Sequence, residues 1–144
     1  MSSERRRDMA ATLTLEIVTP AGMVYTHEVQ MVTLPGAAGQ IGVLACHVPL
    51  LTRIVPGEII VRRNGEDEFL AVGEGLVEIT ADHVAIVTDM AIAAKDIDEA
   101  RVEQARQRAL ARLRDKISDE EVATVNASLA RSLAQLRVRK RRRV

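Results

Sequence analysis

The distribution of glycine and proline divides this chain of 144 residues into two parts with different structural preferences. All eight glycines lie at or before Gly75 and all four prolines at or before Pro56, and neither type occurs after Ile79. Both residues favour turns and disrupt helix interiors, so the first part suits short strands and the second suits helices. We therefore predict a disordered lead-in at 1–11, a β domain at 12–94, a helical hairpin at 95–138 and a basic tail at 139–144.

Short alternating or β-branched runs in the first part predict strands. These runs are Leu13–Thr19, Met23–Leu34, Ile41–Leu44, Glu58–Arg63, Phe69–Val72, Leu76–Thr80 and Val84–Thr88. Turn residues separate several of them, and Asn64-Gly65 between two such runs is typical of a tight β-hairpin. Several short strands at this spacing indicate an all-β sandwich or barrel.

The apolar period changes to that of a helix after about Ala94. Asp96 with Glu99, and Ser118 with Glu121, have the spacing of capping boxes, which satisfy free amides at a helix start. Each is followed by an apolar stripe. The stripes are Val102, Ala105, Ala109, Leu113 and Ile117, then Val122, Val125, Leu129, Leu133 and Leu136. Two such helices joined at 116–118 predict an antiparallel hairpin. The predicted fold class is therefore α+β by content, with an N-terminal all-β sandwich followed by this hairpin.

Composition excludes several classes of protein. The single Cys46 leaves no internal disulfide and no multi-cysteine zinc site. No run approaches the roughly 20 apolar residues of a membrane-spanning helix, and the arginines near the N-terminus are not followed by the apolar segment of a secretory signal. The formal charge is −8 over residues 8–94 and +6 over residues 95–144. We expect this asymmetry to favour docking of one part on the other.

No constellation in the sequence predicts catalysis or metal binding. Gly36, Gly39 and Gly42 lack the Gly-Lys-Ser/Thr of a phosphate loop, and no helix begins there, so we interpret them as turns or sites of close backbone approach. The histidines are far apart in the sequence, and adjacent side chains such as Cys46 and His47 point to opposite faces of a strand. The carboxylates of the β domain are interpreted as a solvated acidic face.

Basic residues of the helical part suggest two kinds of anion binding. Asp98, Arg101, Arg108 and Arg112 fall within about 80° of one another on a helix, so they form either an ordinary charged flank or a site for a triphosphate. From Arg131 onward the chain carries seven bases and no acid, ending in the block 139–143. This run could attract polyanions, but the absence of an aromatic platform argues against specific nucleic-acid recognition. A free nucleic-acid-binding module is kept as a third hypothesis.

The stretch Leu34–Glu58, reading LPGAAGQIGVLACHVPLLTRIVPGE, carries a resemblance to a known family. Its order of Pro-Gly, Gly-x-x-Gly-Val-Leu, His-x-Pro-Leu-Leu and Pro-Gly-Glu resembles the epsilon subunit of the bacterial F-type ATP synthase. Similarity continues from Leu13 through Phe69–Gly75, Val84–Asp89 and Asp96–Arg101 to Ala130–Val138. The resemblance therefore covers nearly the whole chain.

The resemblance implies a non-catalytic subunit of the central stalk that rotates with the gamma subunit and the ring of c subunits. It also implies a peripheral location on the cytoplasmic face of the bacterial inner membrane, reached only through the complex. The family region that faces the c-ring aligns with Gly39, Gln40, Ile41, Gly42 and His47. No cofactor is required.

The resemblance also assigns a regulatory role to the hairpin. In the family, the helices either lie compactly on the sandwich or extend along gamma toward the alpha/beta hexamer, where they block ATP hydrolysis. Arg131 and Arg137 are then candidates for contact with an acidic loop of the beta subunit. A family motif that binds ATP as a regulatory ligand matches at Ile97, Asp98 and Arg101, with Arg108 on the same face, but Val102 replaces its alanine. An ATP-sensing subunit is therefore the alternative function.

Overall fold

A computed structural model describes residues 12–115 and 118–142 of the chain. The predicted lead-in, the helix connection at 116–117 and the last two residues of the basic tail lie outside these ranges. The described strands are β1 (Leu13–Thr19), β2 (Gly22–Val29), β3 (Met31–Gly36), β4 (Gly39–Leu44), β5 (Leu50–Ile54), β6 (Gly57–Arg63), β7 (Glu66–Val72), β8 (Gly75–Ile79), β9 (His83–Thr88) and β10 (Ala91–Ala93). A short 3-10 turn at Ala94–Asp96 leads to helices α1 (Glu99–Arg114) and α2 (Asp119–Arg142).

The strands form a sandwich whose two halves are joined through a narrow connection. The hydrogen-bonded order is β10-β7-β6-β3-β5-β8-β9-β1-β2, with β4 paired to the side of β3. Only one residue pair, Gly36 with Ile54, joins β3 to β5, so the sheet folds there and its two halves can face each other. The pairings are antiparallel except for β1 with β9. The prediction of an N-terminal all-β sandwich is confirmed.

Alternation of apolar residues along the strands builds one core between the halves. Side chains such as Leu15, Val32, Ile59 and Ile86 are completely buried there. The buried members of this cluster, which we call the sandwich core, all lie between Leu13 and Ile86. The core is therefore assembled without either helix.

The hairpin between β6 and β7 confirms the turn that the sequence predicts. Asn64 and Gly65 both have positive φ, at 54° and 77°, which is the backbone of the two-residue turns that match strand twist. The backbone N–H of Gly65 also donates to the side-chain oxygen of Gln30 at 3.1 Å. This turn fixes the register in which Arg63 faces Glu66.

The predicted and observed strands differ most at three places. The run Met23–Leu34 is broken at Gln30 into β2 and β3, where the Gln30 N–H donates to the Arg62 carbonyl at 2.7 Å as the chain passes between the halves. The strands Leu50–Ile54 and Ala91–Ala93 were not predicted. The first lacks alternation because Leu50 and Leu51 are both exposed, and the second has only three residues.

The two helices form the predicted antiparallel hairpin. Near the connection, Arg112 Nη2 of α1 lies 2.6 Å from Glu121 Oε2 of α2. At the other end, the pKa of Glu103 is lowered, chiefly by a hydrogen bond from Gln107, with smaller contributions from Arg106 and from Lys140 of α2. The helix α2 continues to Arg142, four residues beyond the predicted end of the hairpin at 138.

Candidate functional site

The hairpin docks on one outer face of the sandwich. Helix α2 contacts β6, β7 and the 3-10 turn. Leu136 and Val138 of α2 are buried in a second apolar cluster with Ala71, Ala94 and Val102, and Phe69, Met90 and Ile92 pack against it. This cluster, which we call the docking cluster, is separate from the sandwich core. The hairpin can therefore leave the sandwich without opening that core.

The buried face of α2 differs from the predicted stripe in its second half. Leu133 is 46% exposed, whereas Ser132, Ala134, Leu136 and Val138 are buried. The predicted stripe assumed one seam between two helices. In the structure this half of α2 lies against the sandwich as well as α1, so it buries a wider face and turns Leu133 toward solvent.

A polar contact holds the middle of α2 to a corner of the sandwich. Arg131 Nη1 lies 3.2 Å from Asp89 Oδ2, and both side chains are partly exposed. One turn later, Gln135 Nε2 donates to Met90 Sδ at 2.9 Å. Arg131 was predicted to contact a beta subunit; in this docked arrangement its guanidinium is paired within the chain. Arg137, the second predicted contact, is exposed.

The start of α1 is capped by a different residue from the one predicted. Asp98 is the N-cap, and its Oδ1 accepts from the backbone N–H of Arg101 at 3.2 Å. Asp96 lies in the preceding 3-10 turn, so the predicted capping box of Asp96 and Glu99 is wrong. The second predicted capping box, Ser118 with Glu121, is supported, because the Ser118 hydroxyl accepts from the Glu121 N–H at 3.2 Å and α2 begins at Asp119.

A cavity of about 340 Å³ lies where α1, α2 and the sandwich meet. Its walls come from β10, the 3-10 turn and both helices. The lining residues are Ile92, Asp96, Ile97, Asp98, Arg101, Val102, Ala105, Ser132 and Gln135. Because Ser132 and Gln135 belong to α2, these walls are complete only when the hairpin is docked.

Three of the four predicted nucleotide-binding residues line this cavity. Ile97, Asp98 and Arg101 are brought together, and Arg108 is exposed two turns further along α1, outside the lining. The lining contains two carboxylates, Asp96 and Asp98, and one guanidinium, Arg101. Ser132 and Gln135 were missed because nothing in the spacing of residues indicates which turn of α2 meets the start of α1.

The segment predicted to contact the rotor comprises β4, which pairs with β3 outside the main strand order, and part of the loop that follows it. Gly39, Gln40 and Gly42 of β4 are exposed, and Ile41 packs partly against the sandwich core. His47 Nδ1 lies 2.5 Å from the carbonyl of Val48. Because a carbonyl can only accept, a hydrogen bond here requires Nδ1 to donate, and it holds the His47 ring against the backbone just before Pro49.

Large apolar side chains are exposed next to this segment. Val48 is 75% exposed and Leu51 is 67% exposed, and Leu44 and Leu50 are also exposed. The backbone N–H of Cys46 donates to the Ala81 carbonyl, which ties the segment to the β8–β9 turn. Residues 39–51, which we call the rotor segment, therefore combine a fixed backbone with an apolar surface open to solvent. Such surfaces mark interaction sites more often than isolated apolar residues do.

Two negative findings apply to the described residues. Within residues 12–115 and 118–142, no group of three or more histidine, cysteine or acidic side chains is arranged to hold a metal ion. No helix in the same ranges is long and apolar enough to cross a membrane.

Solved structures share this fold. The chain aligns with a chain of the Euglena gracilis mitochondrial ATP synthase OSCP/F1/c-ring structure, with a TM-score of 0.70, 20% identity, and coverage of 83% of this chain and 76% of that one. It also aligns with a chain of the Tetrahymena thermophila mitochondrial ATP synthase central stalk/c-ring, with a TM-score of 0.60, 11% identity, and coverage of 92% and 96%. At these identities the likeness is one of fold.

Sequence comparisons identify the family. Residues 12–94 match the beta-sandwich domain of the ATP synthase Delta/Epsilon chain, and residues 95–140 match its long alpha-helix domain. The ATP synthase epsilon chain of Bordetella petrii is 40% identical over 126 residues, 87% of this chain and 89% of that protein. The epsilon chain of Herpetosiphon aurantiacus is 41% identical over 129 residues, 90% and 95% of the two chains. With both domains matched in order, the chain belongs to the Delta/Epsilon chain family of ATP synthase.

Proposed function

We propose that this chain is a non-catalytic rotor subunit in the central stalk of an F-type ATP synthase. There it couples proton flow to ATP synthesis and inhibits ATP hydrolysis through its C-terminal helices. The observation that carries the proposal is the separation of the sandwich core from the docking cluster. A sandwich that is complete without the hairpin can stay attached to the stalk while the hairpin moves.

The sandwich is the part that attaches to the rotor in this proposal. The rotor segment supplies the contact with the gamma subunit and the c-ring, through Gly39, Gln40, Ile41, Gly42 and His47 and the exposed side chains beside them. Burying exposed apolar side chains such as these against a partner is favourable through the hydrophobic effect. The chain would then lie peripherally on the cytoplasmic face of the bacterial inner membrane, held there by the complex.

Co-purification with a tagged gamma subunit of the same enzyme tests this attachment. We expect Val48→Glu and Leu51→Glu to reduce recovery of the chain with gamma, because each places a charge in the contact. The matched control is Leu133→Glu, which makes the same kind of change at an exposed apolar position of α2. Equal recovery of the three variants and the parent would contradict attachment through the rotor segment, and no recovery of the parent would contradict the rotor function.

The hairpin is the inhibitory part in this proposal. Released from the sandwich, α2 would extend toward the alpha/beta hexamer and present Arg131 and Arg137 to the beta subunit. Arginine pairs strongly with carboxylates, so these residues suit an acidic loop. The docked arrangement would then be the form that permits hydrolysis.

A second candidate function is an ATP sensor that favours the docked hairpin. The cavity supports it, because its walls include both helices and the sandwich. A ligand that binds only the docked form must stabilise that form. Ile97, Asp98 and Arg101 line a volume within the range of ligand pockets. Arg101 would meet the phosphates, while the two lining carboxylates weaken the attraction for a triphosphate.

Calorimetric titration of the isolated chain with ATP tests the sensor. We expect binding that is lost in Arg101→Ala and kept in Arg108→Ala, because only Arg101 lines the cavity. The Arg108 variant removes the same charge from the same helix and is therefore the matched control. An absence of heat at millimolar ATP would exclude the sensor, and equal loss in the two variants would exclude this cavity as its site.

A further inference from the structure

The corner of the sandwich that receives α2 is built around Gly73, Asp89 and Met90, which we call the seat. A side-chain Cβ placed on Gly73 would lie 1.8 Å from Asp89 Oδ1, so the carboxylate occupies the space that any other residue would fill. The Gly73 N–H donates to the Met90 carbonyl at 3.0 Å. The missing side chain at Gly73 therefore leaves the space that the Asp89 carboxylate occupies.

Hydrogen bonds between two turns hold the seat in place. The Asp89 N–H donates to the Glu74 carbonyl at 3.2 Å, which joins the β9–β10 turn to the β7–β8 turn. The buried Thr88 hydroxyl lies 2.8 Å from the same carbonyl and 3.2 Å from that of Met90. The seat is thus fixed by the sandwich itself and does not depend on the helices.

Arg131 and Gln135 of α2 are spaced to reach the seat together. Positions four apart lie on the same face of a helix. Arg131 pairs with Asp89 and Gln135 with Met90, whereas the docking cluster beside them is apolar. Apolar contacts with small residues such as Ala71 and Ala94 allow α2 to shift along the sandwich, but a charged hydrogen bond fixes the position of α2.

We propose that Asp89 and Arg131 form a latch that holds the hairpin docked, with Gly73 as the residue that positions the Asp89 carboxylate. Opening the latch frees Arg131. This last step rests on the proposed function, in which Arg131 contacts an acidic loop of the beta subunit in the extended form. The Arg131 guanidinium then pairs with Asp89 in the docked form and with the beta subunit in the extended form. Since it cannot make both contacts at once, Asp89 competes with the beta subunit for Arg131.

Thiol labelling at a position beneath the hairpin measures the latch directly. Ala71 is completely buried and belongs to the docking cluster, so Ala71→Cys in a Cys46→Ser chain becomes reactive only when the hairpin opens. Val138→Cys, on α2 and in the same docking cluster, serves as an independent second probe. The rate of reaction in the intact chain reports how often the hairpin leaves the sandwich.

The latch predicts a specific set of rates. Asp89→Asn and Arg131→Gln should each increase labelling by about two- to fivefold, the size of effect expected for a partly exposed ion pair. The double variant should label no faster than either single variant. Gly73→Ala should match Asp89→Asn, and the exchange Asp89→Arg with Arg131→Asp should restore a slow rate. Asp67→Asn is the matched control, because it breaks the 3.0 Å pair with Arg62 within the sandwich.

Two results would overturn the latch. The first is an unchanged rate in both Asp89→Asn and Arg131→Gln at both probes. The second is a double variant whose rate is the product of the two single effects, because independent effects would mean that the residues do not act through each other.

The assembled ATP synthase separates the latch from the proposed function. Asp89→Asn frees Arg131 and should lower ATP hydrolysis. Arg131→Gln removes the contact with Asp89 and the contact with the beta subunit, so it should not lower ATP hydrolysis. Faster labelling of the Asp89 variant with unchanged hydrolysis would support the latch and contradict the inhibitory function.

Discussion

At the scale of single residues, Tyr25 shows how contact between strands that are not hydrogen-bonded to each other changes the pKa of a side chain. Its hydroxyl donates to Glu68 Oε1 of β7 at 3.1 Å, across the gap between β2 and the other half of the sandwich. Burial, and then the charge and hydrogen bond of Glu68, raise the pKa of Tyr25 from its ordinary 10.0 to about 12. Arg63 pairs with the same carboxylate at 3.1 Å, so the interaction is a cluster of three side chains.

Titration of Tyr25 is therefore predicted to be displaced toward high pH. It is the single tyrosine in a chain without tryptophan, so ultraviolet absorbance of tyrosinate follows it alone. Between the unfolded pKa of about 10 and the folded pKa of about 12, the folded state keeps the proton that the unfolded state loses. The free energy of unfolding should then fall as pH rises through this window. Tyr25→Phe should remove that part of the fall, and an ordinary pKa for Tyr25 would contradict the contact.

Glu68→Gln provides the internal control for this titration. It removes the charge but leaves the burial, which is the larger cause of the raised pKa. We expect the pKa of Tyr25 to decrease without returning to its ordinary value. A complete return would mean that burial contributes nothing.

The N-cap of α1 gives a second prediction at the residue scale. Asp98→Ala should lower the free energy of unfolding by about 1 kcal/mol, because the Arg101 N–H loses its acceptor. Asp96→Ala, two residues earlier, removes an equal charge and should have a smaller effect. Urea denaturation of both variants measures the difference. A larger loss for the Asp96 variant would restore the capping box that the sequence suggested.

At the scale of elements, the sandwich is expected to fold without the hairpin. A chain ending at residue 94 keeps all members of the sandwich core and loses the contacts of the docking cluster and the pairs of Asp89 with Arg131 and Met90 with Gln135. If those contacts are worth about 1–2 kcal/mol, Tm should fall by roughly 5–15 °C while unfolding stays cooperative. Calorimetry and a dispersed amide NMR spectrum would check this. A chain without a cooperative transition would show that the two clusters form one core.

The sequence predicts the bounds and buried faces of some strands and helices better than those of others. Strands with strict alternation, such as Leu13–Thr19, were placed to the residue, since alternate side chains enter one core. The strand Leu50–Ile54 was not predicted, because its exposed leucines obscure the alternation of apolar and polar residues. The helices were found from their period, but Leu133 was assigned to the wrong face. Local spacing cannot indicate that half of α2 rests on a sheet.

The candidate site was predicted only where its residues are close in sequence. Ile97, Asp98 and Arg101 lie within five residues of one another, and the structure places them at one cavity. Ser132 and Gln135 reach the same cavity from more than thirty residues away. The pair of Asp89 with Arg131 likewise depends on docking, which sequence spacing does not encode.

At the scale of the whole molecule, charge and packing favour a docked state that can be released. The β domain is acidic and the helical part is basic, so their attraction is long-ranged and weakened by salt. The interface itself combines a small apolar cluster with a partly exposed ion pair. We therefore expect the docked and released states to differ by only a few kcal/mol in free energy, as the proposed regulation requires.

In the proposed function, the helices inhibit ATP hydrolysis and the sandwich alone sustains coupling. ATP hydrolysis by the assembled ATP synthase, compared between the full chain and a chain ending at residue 94, tests it most directly. We predict that removing residues 95–144 raises hydrolysis by about fivefold or more, as for a coupling free energy of about 1–3 kcal/mol, while proton pumping stays coupled. Unchanged hydrolysis by an enzyme that has incorporated the shortened chain would contradict inhibition by the helices.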